Sequence, residues 1–301
     1  MLSSVASDDL RAVSGRLATQ TEALAAVAAA LRLRVSGERA PGAVEQCLDD
    51  VLEALGVRDA VANGSAEGLS LALAPIRALF LQSVDLLTDP ARAPGWAYTD
   101  ADLLQSLGQN SAAFAEVIRD VVSPQLEGLE EALARSGAAF LDVGVGVAAL
   151  SIAMARLYPE LRVLGIDPWD VALDLAQRNV AAAGLEGRIT LRRQRVEELP
   201  DESAFDLAFL AGPFLGESVV EQAYERVGRA LRPGGWVLFG MYSGRDPLET
   251  SLARLRAARS GAAVLDADDA EARLRAADFA DVRTFAAELG IPSQLVVGRR
   301  P

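Results

Sequence analysis

The chain has 301 residues, enough for one large domain or two smaller ones. Its hydrophobic content of 51% is typical of a globular protein, and its formal net charge of -13 argues against nucleic-acid and anionic-membrane partners, because neutralising phosphates requires a basic surface. The sequence contains no His and its basic residues are all Arg, which excludes imidazole catalysis, His metal sites and Lys Schiff bases. We expect no metal.

The single cysteine, Cys47, excludes an intramolecular disulfide and suits a reducing cytosol. Its helical apolar surroundings favour a buried packing role over that of a nucleophile. No charged segment followed by an apolar core indicates a signal peptide, and the Ala-rich stretch of residues 21–35 is too short to span a membrane. We therefore expect a cytoplasmic protein without a membrane partner.

The first part of the chain predicts only helices, and we assign residues 1–135 to a helical cap or association domain. Within it, Leu10, Leu17, Leu24 and Leu31 recur every seven residues. Such a stripe fits either the core of the domain itself or the seam of a homodimer or of a complex with a partner subunit. The other predicted helices run to about residue 55, over about 69–87, from Thr99 onwards and over about 111–135 with a bend at Pro124.

After Gly137 strands alternate with helices, which predicts a mostly parallel sheet covered on both faces. We assign residues 136–301 to this second domain, an α/β fold of the Rossmann-like kind. The predicted strands are 138–143, 162–167, 189–193, 207–210 and 236–240, followed by a helix over 269–277 and strands over 282–286 and 294–299.

The stretch GVGVAA, from Gly144 to Ala149, follows the first strand and fits the nucleotide fingerprint G-x-G-x-x-(G/A). A dinucleotide would rest its pyrophosphate on this turn, where the carboxylate of Asp142 would repel it. S-adenosylmethionine (SAM) has no phosphate and carries a sulfonium and an ammonium, so the same carboxylate attracts it. Asp167 ends the second strand and is placed to accept both ribose hydroxyls, a feature that SAM and NAD share. Charge therefore favours SAM.

With these acids around the turn, the sequence resembles the class I SAM-dependent methyltransferases of small-molecule type. The resemblance lies in FLDVGVGVAAL, VLGIDPWDVALDLAQRNVAAAGLEGRITL, FDLAFLAGPF and ALRPGGWVLFG, which occur in family order from Phe140 to the C-terminus. It implies a seven-stranded, mostly parallel sheet with the last strand antiparallel, and SAM as the cofactor. By the same resemblance, the residues that contact SAM include Asp142, Gly144 and Gly146 at the methionine end, Asp167 at the ribose, Pro168, Trp169, Val196 and Glu197 around the adenine, and Ala211.

The sequence departs from the family pattern in three places. The third glycine of the turn is replaced by Ala148, and Arg195 stands where the family usually has an Asp near the adenine amine. The stretch AGPF replaces the (Asp/Asn)-Pro-Pro-aromatic signature of methyltransferases that modify amino groups of nucleic acids and proteins. This last departure argues against such macromolecular substrates.

Methyl transfer from a sulfonium is a displacement at an already activated group, so orientation alone can supply about 7–11 kcal/mol. A chain without His can therefore catalyse it, and Tyr98, Asp100, Glu217 and Tyr242 are candidates for a base, none of them assigned. We expect O- or C-methylation of a small molecule in secondary metabolism. The alternatives are a SAM-fold protein that catalyses an elimination or cyclisation, and a subunit that works with a partner chain.

The stretch GWAYTDADLLQSLGQN, residues 95–110, follows a Pro-rich loop and combines aromatic with neutral polar side chains. In open α/β sheets the ligand lies beyond the carboxyl ends of the strands, in a crevice that needs a cover. We expect this segment to cap the crevice, with Tyr98 and Gln109 in contact with SAM. The alternative is that Trp96 and Tyr98 pack a joint between domains.

Overall fold

The computed structural model describes residues 2–286 and 293–301, without the side chains of residues 2–8. The chain forms two compact units, Met1–Pro90 and Ala91–Pro301. The expected domain boundary near residue 135 therefore lies inside the second unit. It marks the beginning of the sheet, because the helices just before it already pack on the sheet in one core.

The first unit consists of helices α1 (Leu2–Ser36), α2 (Gly42–Ala54), α3 (Arg58–Asn63) and α4 (Ala66–Thr88). Helix α4 begins at Ser65, whose hydroxyl accepts a hydrogen bond from the Gly68 N–H at 3.1 Å. The unit has a small core of Ala30, Leu31, Leu52, Val61, Leu69 and Leu73.

The seven-residue stripe of α1 has two different environments. Leu31 is 3% exposed and lies in this core, whereas Leu10 and Leu17 are 67% and 52% exposed. Cys47 is also exposed, so the expectation of a buried packing role for it is wrong. Its helix is amphipathic, but the core beneath is too small to cover more than a narrow strip, with Leu52 its one buried residue.

Helix α4 is long and apolar enough to cross a membrane by length and composition, a property that the sequence analysis did not single out. Only 17% of its most apolar window is buried. The exposed large apolar side chains on this helix are Leu71, Leu79, Leu81, Val84 and Leu87.

The second unit begins with α5 (Ala101–Val117) and α6 (Leu129–Ala134), joined by a π turn at Ile118–Val122 and a 3-10 turn at Ser123–Gln125. Helix α5 starts after Asp100, whose carboxylate accepts from the Leu103 N–H at 2.8 Å, so the expected start at Thr99 is one residue early. The prediction of one helix over 111–135 is wrong, because the α-helical geometry ends at Val117 and resumes only at Leu129; Pro124, which has no N–H, lies in the interruption.

A seven-stranded sheet forms the centre of this unit, in the order β3-β2-β1-β4-β5-β7-β6. Only the pairings of β7 are antiparallel, so the predicted Rossmann-like sheet with an antiparallel last strand is confirmed. The strands are β1 (Ala139–Val143), β2 (Arg162–Asp167), β3 (Ile189–Arg193), β4 (Phe205–Ala211), β5 (Leu231–Tyr242), β6 (Ala280–Phe285) and β7 (Ser293–Arg299). The helices after α6 are α7 (Ala149–Leu157), α8 (Asp170–Ala182), α9 (Glu217–Ala230), α10 (Pro247–Ser260) and α11 (Ala267–Ala276).

Helices cover both faces of the sheet, and successive strand residues point to opposite faces, so neighbouring residues of one strand belong to different cores. In β1, Phe140 belongs to the core beneath α5, α6, α7 and α8, and Leu141 to the core beneath α9 and α11. Helix α10 was not predicted, because Ala253 is its only buried residue and no apolar face marks it as a core helix. Its start does carry a local signal, since Asp246 caps the helix and Pro247 occupies its first turn.

Candidate active site

The glycine turn joins β1 to α7 at the carboxyl edge of the sheet. Gly144 and Gly146 have φ values of 77° and 54°, a region that glycine adopts freely. Ala148 also has a positive φ, 65°, which costs an L-residue about 1–2 kcal/mol. The N–H groups of Gly144 and Val145 donate to the Ile166 carbonyl at 2.9 and 3.1 Å, so the end of β2 holds the turn in place.

Asp142 lies directly below this turn and is 2% exposed. Its Oδ2 accepts a hydrogen bond from the hydroxyl of Ser151, in the first turn of α7, at 2.6 Å. Burial raises the pKa of the Asp142 carboxyl to about 7; the Ser151 hydrogen bond opposes that rise, and the nearby charge of Asp167 adds to it. A buried carboxylate that is close to half ionised at neutral pH favours a cationic ligand.

Asp167 is the last residue of β2 and lies on the other side of the turn. Its Oδ1 accepts from the Trp169 N–H at 2.8 Å and its Oδ2 from the Gly146 N–H at 3.0 Å. Burial raises the pKa of Asp167, and these two backbone hydrogen bonds oppose the rise. Among the described residues no arginine contributes to the pKa of either carboxyl. The glycine turn together with Asp142 and Asp167, called the cradle below, therefore concentrates negative charge.

The predicted adenine-side residues lie along the same edge. Pro168 is exposed, and Trp169 is half-buried and donates its indole N–H to the Tyr98 carbonyl at 3.0 Å. Val196 is buried in the core against α9, so only its backbone can face a ligand. Glu197 forms an ion pair with Arg195 at 3.2 Å. Arg195, which stands where the family usually has an Asp, is thus the partner of Glu197.

Ala211 ends β4 directly against the glycine turn. A Cβ built on Gly144 would lie 3.2 Å from the Ala211 Cβ, so the two positions face each other across the end of the sheet. The structure thus brings Asp142, Asp167 and Ala211 to one short stretch of the carboxyl edge, around Gly144.

The segment containing Trp96 and Tyr98 crosses this edge. The Trp96 ring centroid is 5.0 Å from that of Tyr98 and 4.6 Å from that of Phe214, which follows β4. The Tyr98 carbonyl is bonded to Trp169, which follows β2. Because β1 lies between β2 and β4, the segment passes over the end of β1, where the glycine turn lies.

Helix α5 supports the turn from the side. Gln105 and Asn179 exchange two amide hydrogen bonds of 3.1 Å, and Asn179 also donates to the Val147 carbonyl at 2.9 Å. Gly108 lies so close that a Cβ there would come 2.0 Å from Val147 Cγ2. Gln109 is exposed and forms no hydrogen bond in the described part of the chain, so its contact with SAM stays a prediction.

The two carboxylates among the four candidate bases are bonded within the structure. Asp100 caps α5, and Glu217 forms an ion pair with Arg273 at 2.6 Å. Burial raises the pKa of Tyr242, so its hydroxyl stays protonated at neutral pH and is poorly suited to accept a proton. The base therefore stays unassigned. Within the described ranges no group of three or more Cys, Asp or Glu side chains could hold a metal ion.

The parallel sheet, the positive-φ turn and an acid at the end of β2 define a Rossmann-like nucleotide-binding domain. A family model described as a methyltransferase domain matches residues 140–235. This part of the chain is a class I SAM-dependent methyltransferase domain, as the resemblance implied.

Known proteins resemble this chain in two ways. The release factor glutamine methyltransferase of Geobacter sulfurreducens is 34% identical over 113 residues, which cover 36% of this chain and 39% of that protein. The structure of human N-acetylserotonin methyltransferase in complex with SAM superposes with a TM-score of 0.68 at 16% identity, over 97% of each chain. The pyocyanin biosynthetic protein PhzM superposes with a TM-score of 0.64 at 16% identity, over 99% of each. The match spans about two-fifths of the curated relative, and the superpositions establish the fold.

SAM is the cofactor of this class of domain, and the residues present fit it. Asp142, which is buried, and Asp167, which is half-buried, form a pair of carboxyl groups that suits a sulfonium and an ammonium. Gly144 and Gly146 carry no Cβ, which leaves the backbone of the turn open to a ligand. A pyrophosphate at the same place would meet the Asp142 carboxylate.

Proposed function

We propose that this chain is a SAM-dependent methyltransferase that acts on an oxygen or carbon atom of a small molecule. The observation that carries the proposal is the pair of acids on either side of the glycine turn, Asp142 buried and Asp167 half-buried, with no described arginine shifting the pKa of either. Such a cradle repels phosphates and attracts cations.

Bound SAM would supply an electrophilic methyl group, and the chain would supply position. In this proposal Asp167 accepts the ribose hydroxyls and Asp142 faces the methionine end. Trp169 borders the adenine, and the segment of Trp96 and Tyr98 keeps water from the end of β1. Orientation and water exclusion suffice for a displacement at an activated group, in line with the missing His.

Three features support a small-molecule acceptor. The net charge of -13 disfavours nucleic acid, and AGPF lacks the polar side chain that would bind an amino group. Human N-acetylserotonin methyltransferase and PhzM, whose names refer to small molecules, share the fold over nearly the whole chain. The curated relative named for a release factor aligns over only 36% of this chain.

A second candidate function is that of a protein that binds SAM but does not transfer its methyl group. The strained Ala148 in the turn and the unassigned base leave room for an elimination or cyclisation. The exposed apolar part of α1, with Leu10 and Leu17, supports a homodimer or a partner subunit. Absence of methyl transfer from a protein that binds SAM would favour this candidate.

Calorimetry with SAM, S-adenosylhomocysteine and NAD tests the cofactor. We expect both SAM and S-adenosylhomocysteine to bind and NAD to be ignored. Asp174→Ala is a matched control for Asp167→Ala, because Asp174 is an exposed acid on the neighbouring helix. Binding of NAD without SAM would refute the assignment. Transfer of a labelled methyl group to a release factor, and not to small molecules, would refute the substrate class.

A further inference from the structure

A cavity of about 300 Å³ lies beyond the carboxyl ends of β4 and β5. It is enclosed by the turn after β4, the end of β5, helix α10 and residues 263–267. Phe239, Met241 and Leu265 line it with apolar surface, together with Ala253 of α10. Ligand cavities commonly have about 300–1,000 Å³, so this one suits a molecule of one or two rings.

Three polar side chains at this cavity form no hydrogen bond or ion pair with the described part of the chain. They are Tyr242 and Ser243, at the end of β5, and Arg254, on α10. The guanidinium of Arg256 lies 5.1 Å from the centre of the Tyr242 ring, which holds that ring in place.

The described lining of the cavity carries one positively charged side chain, Arg254, and one acid, Asp266. Asp266 Oδ1 accepts from the Asp269 N–H at 2.9 Å as the cap of α11. That carboxylate is thus committed to a helix N-terminus, which favours negative charge. Arg254 is an exposed cation at the rim that forms no ion pair with the described residues.

The cavity adjoins the proposed cofactor cradle. Gly212 and Pro213 line it and directly follow Ala211, which faces Gly144 of the turn. The next residue, Phe214, instead contacts Trp96 of the crossing segment. The single turn after β4 therefore borders the cradle, the segment of Trp96 and Tyr98, and the cavity. A methyl acceptor must bind at such a place, directly beside the cofactor.

We propose that this cavity binds the methyl acceptor, and that the acceptor is a one- or two-ring molecule with an anionic group held by Arg254 and the Tyr242 hydroxyl. This inference rests on the proposed methyltransferase function. The apolar walls accept the ring, and the exposed guanidinium selects the acid over its neutral analogue.

The test uses 2-naphthoate and 2-naphthamide, which share a shape and differ in charge, with the protein saturated by S-adenosylhomocysteine. Calorimetry should detect 2-naphthoate binding and much weaker 2-naphthamide binding. Arg254→Gln should weaken 2-naphthoate about tenfold, as expected for a charge-assisted hydrogen bond near solvent, and leave 2-naphthamide unchanged. Tyr242→Phe should weaken it less, because the ring beneath Arg256 is retained.

Arg226→Gln is the matched control, since Arg226 is an exposed arginine on α9 outside the cavity. Equal 2-naphthoate affinity in Arg254→Gln and the parent would overturn the proposal, and so would no binding at millimolar concentration. Binding of 2-naphthoate to the ligand-free protein but not to the protein saturated with S-adenosylhomocysteine would also overturn it, because an acceptor must bind beside the cofactor. Binding of S-adenosylhomocysteine alone is measured first, so a failed cofactor assignment is recognised separately from a failed cavity.

Discussion

Ser151→Ala should weaken cofactor binding at neutral pH, and the affinity should recover as the pH is raised. The substitution removes the hydroxyl that donates to Asp142 Oδ2 at 2.6 Å, in surroundings where Ser151 is fully buried. A hydrogen bond to a charged group contributes about 1.5–3 kcal/mol, and one pKa unit corresponds to about 1.4 kcal/mol. The pKa of Asp142 should therefore rise by about one to two units from its already raised value of about 7.

The loss of affinity follows from the ionised fraction of Asp142. At pH 7 the parent has about half of this group ionised, and Ser151→Ala about 1–10%, so S-adenosylhomocysteine should bind about 5- to 50-fold more weakly. At pH 9 Asp142 is almost fully ionised in the parent and about half or more ionised in Ser151→Ala, so the difference should shrink to about twofold or less. Affinity should rise with pH in both proteins, because the ionised carboxylate binds the ammonium.

Calorimetry from pH 6 to about pH 9 measures this difference, and titration of the ligand itself cancels because it is common to both proteins. Ser251→Ala, an exposed serine on α10, controls for loss of a hydroxyl elsewhere. Parallel pH profiles for the parent and Ser151→Ala would refute the reasoning. An unchanged affinity at pH 7 would refute the role of Asp142 as well.

Asp167→Ala should weaken SAM by well over tenfold in calorimetry, because two hydrogen bonds to a charged acceptor are lost, each worth about 1.5–3 kcal/mol; equal affinity would disprove the ribose role. Asp142→Asn should raise the thermal stability of the ligand-free protein at pH 8 and change it less at pH 5, since a raised carboxyl pKa destabilises the fold progressively as pH rises from about 4 to 7; calorimetric melting at both pH values checks the sign. Leu10→Glu with Leu17→Glu should turn a dimer into a folded monomer, because both side chains are exposed in the single chain and would place unpaired charges in a seam; a monomer mass for the parent in light scattering would contradict it. Asp206→Ala should lower the free energy of unfolding by about 3 kcal/mol, because this buried carboxylate pairs with two arginines and accepts a backbone N–H at the amino end of β1; denaturant unfolding without a shift would show that these contacts add nothing.

Close neighbours in the sequence made the cradle predictable. Gly144 and Gly146 supply the positive φ that the turn needs, and Asp142 and Asp167 lie at strand ends that a parallel sheet brings to one edge. Each of these signals is local, since it depends on a strand, a turn and a helix in immediate succession.

Contacts between distant residues could not be predicted in the same way. Gln105 and Asn179, which support the turn, are 74 residues apart, and Tyr98 and Trp169 are 71 apart. Ser151 has no sequence signal as the partner of Asp142, because a serine in a helix is equally at home on the surface. These pairings exist only once the helices have packed on the sheet.

The sequence by itself determined the succession of the strands and of most helices and placed the acids of the cofactor cradle near strand ends, because hydrophobic period and backbone conformation are encoded residue by residue. The antiparallel last strand was expected from the resemblance to the family. Only the tertiary structure decided that the compact unit begins at Ala91, that half of the stripe on α1 is exposed, and that α10 closes a cavity beside Arg254. The physical reason is that burial and enclosure depend on which surfaces meet, and a short segment does not specify its neighbours.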